Sequence, residues 1–180
     1  MQVTDTPIEG LKIIEPTIWK DDRGYFYESY NANVWQVHMP TVNFIQDNQS
    51  KSSRGVLRGL HYQVGAAAQA KLVRVIHGEV LDVAVDIRKE SPTYGKWFSV
   101  RLSAENHRQL FVPRGFAHGY LTISQTAIFV YKCDNFYSKS DERGIRYDDP
   151  TLDINWDYNL ENVLVSEKDL LLPYFGHHDK

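Results

Sequence analysis

Cysteine is almost missing from this chain. Cys133 is the only one among 180 residues, so no intramolecular disulfide can brace the fold, and a reducing compartment is the natural setting. Long apolar runs are missing too; none approaches the ~20 residues of a membrane-spanning helix. Nor is there a basic excess. Twenty Lys and Arg stand against 23 Asp and Glu, for a formal net charge of −3, which argues against a general nucleic-acid binder because such a protein needs a basic stripe to displace counterions. A local cluster of arginines would still hold an anionic small molecule such as a diphosphate. The opening MQVTDTPIEGLKIIEPTIW has no basic region followed by an apolar core, so no signal peptide is predicted. Internal repeats, like-charge blocks and linkers are also lacking. These absences predict a cytoplasmic protein without nucleic-acid or membrane partners. With 42% hydrophobic and 13% aromatic residues, disorder is excluded, and the length suits one domain over residues 1–180.

Strand patterns dominate what is there. KLVRVI (71–76) and EVLDVAVDIR (79–88) flank His77-Gly78, which reads as a short hairpin turn. In the second run Leu81, Val83, Val85 and Ile87 share one face, and Val80, Asp82, Ala84 and Asp86 the other. KWFSVRL (96–102), RQLFV (108–112), GYLTI (119–123) and TAIFVYKC (126–133) follow, each bounded by turn-forming residues. Many short strands at close spacing predict a sandwich or barrel. Two short helices are predicted: one near 30–38, and one over 166–172 with Ser166 as N-cap and Pro173 as stop.

The segment SSRGVLRGLHYQ (52–63) breaks the strand pattern with two glycines, two arginines and a histidine. Gly inside a strand weakens it and marks a bulge or a close backbone approach. Arg58 and His61, three apart, would point to opposite faces of a straight strand. A bulge at Gly59 would re-aim one of them into a common cavity; a kinked edge strand is the plainer reading, since a lone strand histidine is usually structural. In VPRGFAHGY (112–120), Pro113, Gly115 and His118 form the PxGxxH pattern of the second cupin motif. The first cupin motif supplies metal ligands as HxH, whereas here it reads His61-Tyr62-Gln63. Gln is a poor substitute for imidazole at a transition metal, which disfavours a metal-dependent cupin. Tyr131, in register with Phe129 and Cys133, is either core filling or a proton donor facing a histidine across a barrel. Lys71 is either a strand-end lysine or an electrophile for an enolate.

Taken in order, DDRGYFYESYN (21–31), IQDNQSKSSRGVLRGLHYQ (45–63), AQAKLVRVIHGEVLDVAVDIRKESPTYGKW (68–97), LFVPRGFAHGYL (110–121), YKCDNFYSKSDERGIRYDDP (131–150) and SEKD (166–169) resemble the dTDP-4-dehydrorhamnose 3,5-epimerase family over nearly the whole chain. The resemblance implies an all-β cupin-like jelly roll with a few short helices, a homodimer, no metal and no organic cofactor. It also implies a dTDP-linked 4-keto-6-deoxy sugar as substrate, in the supply of dTDP-L-rhamnose for surface polysaccharide. Carried over by motif, His61 is the general base, Tyr131 the general acid, Asp169 the carboxylate that orients the base, and Lys71 the cation near the C4 oxygen. Arg23, Phe26, Glu28, Gln46, Asp47, Asn48, Arg58, His118, Glu142 and Lys168 match ligand-lining positions. Tyr137 matches a residue stacked on thymine, and Asp82 a carboxylate supporting His118. VGAAAQAK (64–71) departs from the family pattern, with Gly65 and three alanines in place of a proline-bearing turn; looseness of the loop into Lys71 is the expected consequence. A single-centre epimerase acting at C3 or C5, or a non-catalytic sugar-nucleotide-binding cupin, would share most of these motifs.

Overall fold

The computed structural model describes residues 1–178. Its strands in chain order are β1 (Gln2–Asp5), β2 (Lys12–Glu15), β3 (Trp19–Asp21), β4 (Gly24–Phe26), β5 (Gln46–Ser53), β6 (Leu57–Gln63), β7 (Lys71–His77), β8 (Glu79–Asp86), β9 (Trp97–Ser103), β10 (Gln109–Val112), β11 (Phe116–Thr122), β12 (Thr126–Cys133) and β13 (Glu142–Gly144). Helix α1 (Ala32–His38) precedes β5, and α2 (Glu167–Leu170) lies near the end. Two antiparallel sheets form a cupin-like jelly roll, six-stranded in the order β1-β2-β10-β7-β12-β5 and five-stranded in the order β13-β6-β11-β8-β9; β3 and β4 make a separate ribbon. No helix among the described residues is long and apolar enough to cross a membrane.

The hairpin expected at His77-Gly78 is not formed. β7 pairs with β10 and β12, whereas β8 pairs with β11 and β9, so the turn carries the chain from one sheet to the other. Gly78 has φ +75°, and a Cβ there would lie 2.1 Å from the Thr126 carbonyl oxygen. The corner is therefore closed to any side chain. Sequence alternation alone reads such a corner as a hairpin, because both leave the same dipeptide between two strands.

The alternating faces of β8 are as expected, and both are covered. Val80 and Ala84 pack between the sheets with Val73, Val75, Phe116 and Phe129. Leu81, Val83 and Val85 pack outward against Ile145, Tyr147, Leu152, Ile154 and Trp156 of the C-terminal segment. Each such buried aliphatic contributes about 1.5–3 kcal/mol. On the far side of the six-stranded sheet, α1 seats Trp35 against Ile14, Leu72 and Phe111. Asn31 caps this helix by accepting from the Asn33 N–H. Helix α2 is shorter than the 166–172 span predicted, a single turn beginning after its Ser166 cap. Between the sheets the apolar core gives way at one end to an open, polar cavity.

Candidate active site

The bulge anticipated at Gly59 is present. β6 and β11 pair His61 with His118 and then Arg58 with Tyr120, so three steps on β6 match two on β11. The extra residue turns Arg58 and His61 to the same side, and both line one cavity of about 440 Å³. Two glycines allow the strands to meet there. A Cβ on Gly59, whose φ is +124°, would fall 2.5 Å from Gly119 Cα, and one on Gly119 would fall 2.6 Å from the Arg58 carbonyl oxygen.

Two histidine–carboxylate pairs occupy the five-stranded wall. His61 Nε2 lies 2.7 Å from Asp169 Oδ1, and His118 Nε2 lies 2.9 and 3.0 Å from the two Asp82 oxygens. Asp82 is fully buried and Asp169 nearly so. Burial alone pushes the Asp169 carboxyl up, but the His61 hydrogen bond and charge and the Gly59 N–H outweigh it and hold it below the ordinary carboxylate range. Asp169 is therefore an acceptor, His61 donates from Nε2, and Nδ1 is left as the basic nitrogen. Asp169 arrives from 108 residues away on α2, where its own N–H donates to Ser166 Oγ at 3.1 Å. SEKD thus caps α2 through Ser166 and places Lys168 and Asp169 at the cavity.

The six-stranded wall faces them with Lys71 on β7 and Tyr131 on β12. Neither side chain has a hydrogen-bond partner among the described residues. Burial pushes the Lys71 amine below its usual range, with Cys133, Asp82 and Glu142 pulling it partly back. Burial likewise pushes the Tyr131 phenol up to about 12, aided by Cys133 and Tyr120, so it keeps its proton at neutral pH. Arg58 is anchored through Nε to Ser52 Oγ at 3.1 Å, leaving its outer guanidinium edge for an anion. Ser50 and Ser52 also reach the Tyr120 hydroxyl, at 2.8 and 3.3 Å.

At the mouth, a recess of about 130 Å³ adjoins the cavity and shares His61, Lys71 and Tyr131 with it. Gln46, Asn48, Tyr137 and Glu142 line the recess. Tyr137 is half exposed, and its hydroxyl donates to Glu142 at 2.9 Å. Lys168 forms an ion pair with Glu142. Burial raises the Glu142 carboxyl, but the Lys168 and Tyr137 hydrogen bonds prevail and keep it below the usual range.

Four predicted residues are not brought to the cavity of their own chain. Asp47 lies on the opposite face of the sheet, paired with Lys132 at 2.8 Å. Arg23 and Phe26 sit on the β3–β4 ribbon, Arg23 paired with Asp21 and Phe26 67% exposed beside Trp19. Glu28 accepts from Asn31 at 3.1 Å. Conversely, Ser50 and Tyr120 are cavity residues that motif reading did not single out, and Ser52 is buried behind them, holding Arg58 and Tyr120. Their alternation on β5 and proximity to Gly119 were the available signals. Among the described residues no three His, Cys, Asp or Glu side chains converge as a metal site requires. Gln63 is turned instead to the Ser138 N–H, at 2.9 Å.

The chain's relatives share this architecture. A curated dTDP-4-dehydrorhamnose 3,5-epimerase from Shigella flexneri is 54% identical over 171 residues, covering 94% of this chain and 93% of the relative. The crystal structure of the enzyme of that name from Elizabethkingia anophelis is 50% identical, with a TM-score of 0.94 and coverage of 98% and 97%. A dTDP-6-deoxy-D-glucose-3,5-epimerase from Legionella pneumophila, solved in complex with dTDP-4-keto-L-rhamnose, is 48% identical at TM-score 0.94, covering 98% and 93%. The family profile for dTDP-4-dehydrorhamnose 3,5-epimerase matches residues 5–177, and the chain belongs to that family.

Proposed function

We propose that the chain epimerises both C3 and C5 of dTDP-4-dehydro-6-deoxy-D-glucose, without cofactor, giving dTDP-4-dehydro-L-rhamnose. The observation that carries this reading is the His61–Asp169 pair on one wall of the cavity, with Lys71 and Tyr131 unpaired on the other. The C4 ketone acidifies the neighbouring C–H bonds. His61 Nδ1 takes the proton, and the C–H electron pair moves into the carbonyl to form an enolate. Asp169 stabilises the imidazolium that results. Lys71, with His118, meets the oxyanion as it develops, which is where a fixed donor acts most strongly. Tyr131 then donates its proton to the carbon from the opposite face, inverting the centre, and is reprotonated from solvent as His61 loses its proton. Arg58 holds the diphosphate by charge-assisted hydrogen bonds. Tyr137 carries the thymine on its ring face, and Glu142, Lys168, Gln46 and Asn48 line the nucleotide path.

The same reading includes a homodimer. Arg23, Phe26 and Glu28 match ligand positions yet lie away from their own cavity, on or beside an exposed ribbon bearing Trp19 and Tyr25. They serve the cavity of a second copy. Co-expressed His61→Ala and Phe26→Ala chains would then regain activity through mixed dimers with one intact site, whereas sites each complete within a single chain would give no such rescue.

The activity test is a proton NMR time course in D₂O with the 4-keto substrate and chelator present. Deuterium entering at both C3 and C5, with the L-rhamnose product trapped by a reductase, supports the double epimerase. Entry at one carbon only would replace it with a single-centre enzyme. Entry at neither, with the nucleotide sugar bound, would leave a binding module.

A further inference from the structure

Two loops meet at the recess beside the cavity, and side-chain amides lace them together. Residues 64–70 lead from β6 into Lys71, and residues 134–141 lead out of β12 and carry Tyr137. Gln63, only 8% exposed, accepts from the Ser138 N–H at 2.9 Å. Gln69 donates from Nε2 to the Asn135 carbonyl at 2.8 Å. Asn135 in turn donates to the Ala66 carbonyl at 2.7 Å, and the Ala70 N–H reaches Asp134 at 2.6 Å. Both glutamines line the recess beside Tyr137. The Gly-Ala-rich stretch that lacks a stiffening proline is thus held by its partner loop, and it forms a 3₁₀ turn over Gly65–Ala67. Looseness, the expectation from its composition, is not what the geometry gives.

From this lacing we infer that Gln63 and Gln69 are positioning residues for nucleotide recognition: they fix the backbone beneath Tyr137 and so hold its ring as a preformed shelf for the nucleobase. The inference rests on the function proposed above, in which Tyr137 carries the thymine. Its physical basis is preorganisation. A loop already fixed in its binding conformation has less ordering to do when the ligand arrives, and affinity rises without any new contact to the ligand. A first cupin motif that ends in Gln rather than His acquires a purpose, since the amide oxygen of Gln63 takes a backbone N–H of the shelf loop.

The test uses full-length Gln63→Met and Gln69→Met, which keep side-chain length and remove the hydrogen bond. Removing one such bond is expected to weaken dTDP binding in calorimetry, and to raise KM for the nucleotide sugar, by about three- to tenfold each. The kcat should stay within about twofold, and amide exchange at 134–141 should quicken. Gln69→Lys, which retains a donor, should recover most of the affinity. A fall in kcat at unchanged KM and unchanged dTDP affinity would overturn the inference, as would variants that lose only thermal stability. Wild-type protein that binds dTDP but exchanges no deuterium would defeat the epimerase reading instead, and the dTDP affinities would still judge the shelf.

Discussion

On the five-stranded sheet both cavity histidines are already engaged, His61 with Asp169 and His118 with Asp82, at 2.7 and 2.9 Å. On the six-stranded sheet Lys71 and Tyr131 face the same space with no hydrogen bond from any described residue, and burial shifts each toward its neutral form. The difference has a chemical sense. A base must be held in one tautomer before substrate binds, which calls for a permanent partner. A group that stabilises an enolate oxygen or delivers a proton works best if the substrate is its partner, because interactions made only in the transition state are the ones that accelerate.

Breaking the engaged wall should cost most. His61→Ala is expected to slow deuterium entry at C3 and C5 by about 10³–10⁴-fold while dTDP affinity stays within about threefold, read by NMR and calorimetry. On the unpaired wall, Tyr131→Phe should slow inverted product by about 10²–10³-fold, yet deuterium should still enter on the His61 face. Loss of exchange to the same extent as in His61→Ala would erase the distinction between the walls. Lys71→Met sharpens the comparison through pH. Only the cationic amine stabilises an oxyanion, and burial holds its titration below the ordinary lysine range, so wild-type kcat/KM should fall as pH rises through that lowered value. The variant should lose about 10²–10³-fold in kcat together with that alkaline limb.

The smallest effect on activity belongs to a carboxylate on the same strand as Asp82 that takes no part in the site. Burial would raise Asp86, but hydrogen bonds from Arg88, Ser91 and Thr93 prevail and lower it to about 2. A carboxylate held below its unfolded value stabilises the fold above that value, and the contribution vanishes as pH falls through about 2. Asp86→Asn should therefore cost about 2 kcal/mol of stability at pH 7 with kcat unchanged, and the acid-side loss seen in wild type should be blunted.

Legibility in the sequence followed the same division. β8 and β12 were readable because one face of each is a continuous apolar row, Leu81, Val83 and Val85 or Ala127 and Phe129, that must meet a core. β5, QDNQSKSS, was not read as a strand. It contains no apolar residue, since Gln46, Asn48 and Ser50 of its inward row line the recess and cavity rather than the core, with Ser52 buried behind Arg58. Hydrophobic periodicity disappears where a strand becomes part of a site. The bulge was legible from Gly59, and the motifs located His61, Tyr131 and Asp169. Which sheet each strand joins was not, because pairing across the Gly78 corner depends on contacts distant in sequence. The remoteness of Arg23 and Phe26 from their own cavity was equally invisible, as a matched motif gives identity and not location.

Helix α2 is one turn long, is followed by a largely solvent-exposed Leu171, and alone supplies the carboxylate behind His61. So short a helix has little intrinsic stability and opens at lower free energy than the sheets around it. On warming, His61 would lose its orienting carboxylate while both sheets remain folded. The temperature at which catalysis fades and the temperature at which the protein melts would then be separate quantities, the first set by four residues and the second by the rest of the chain.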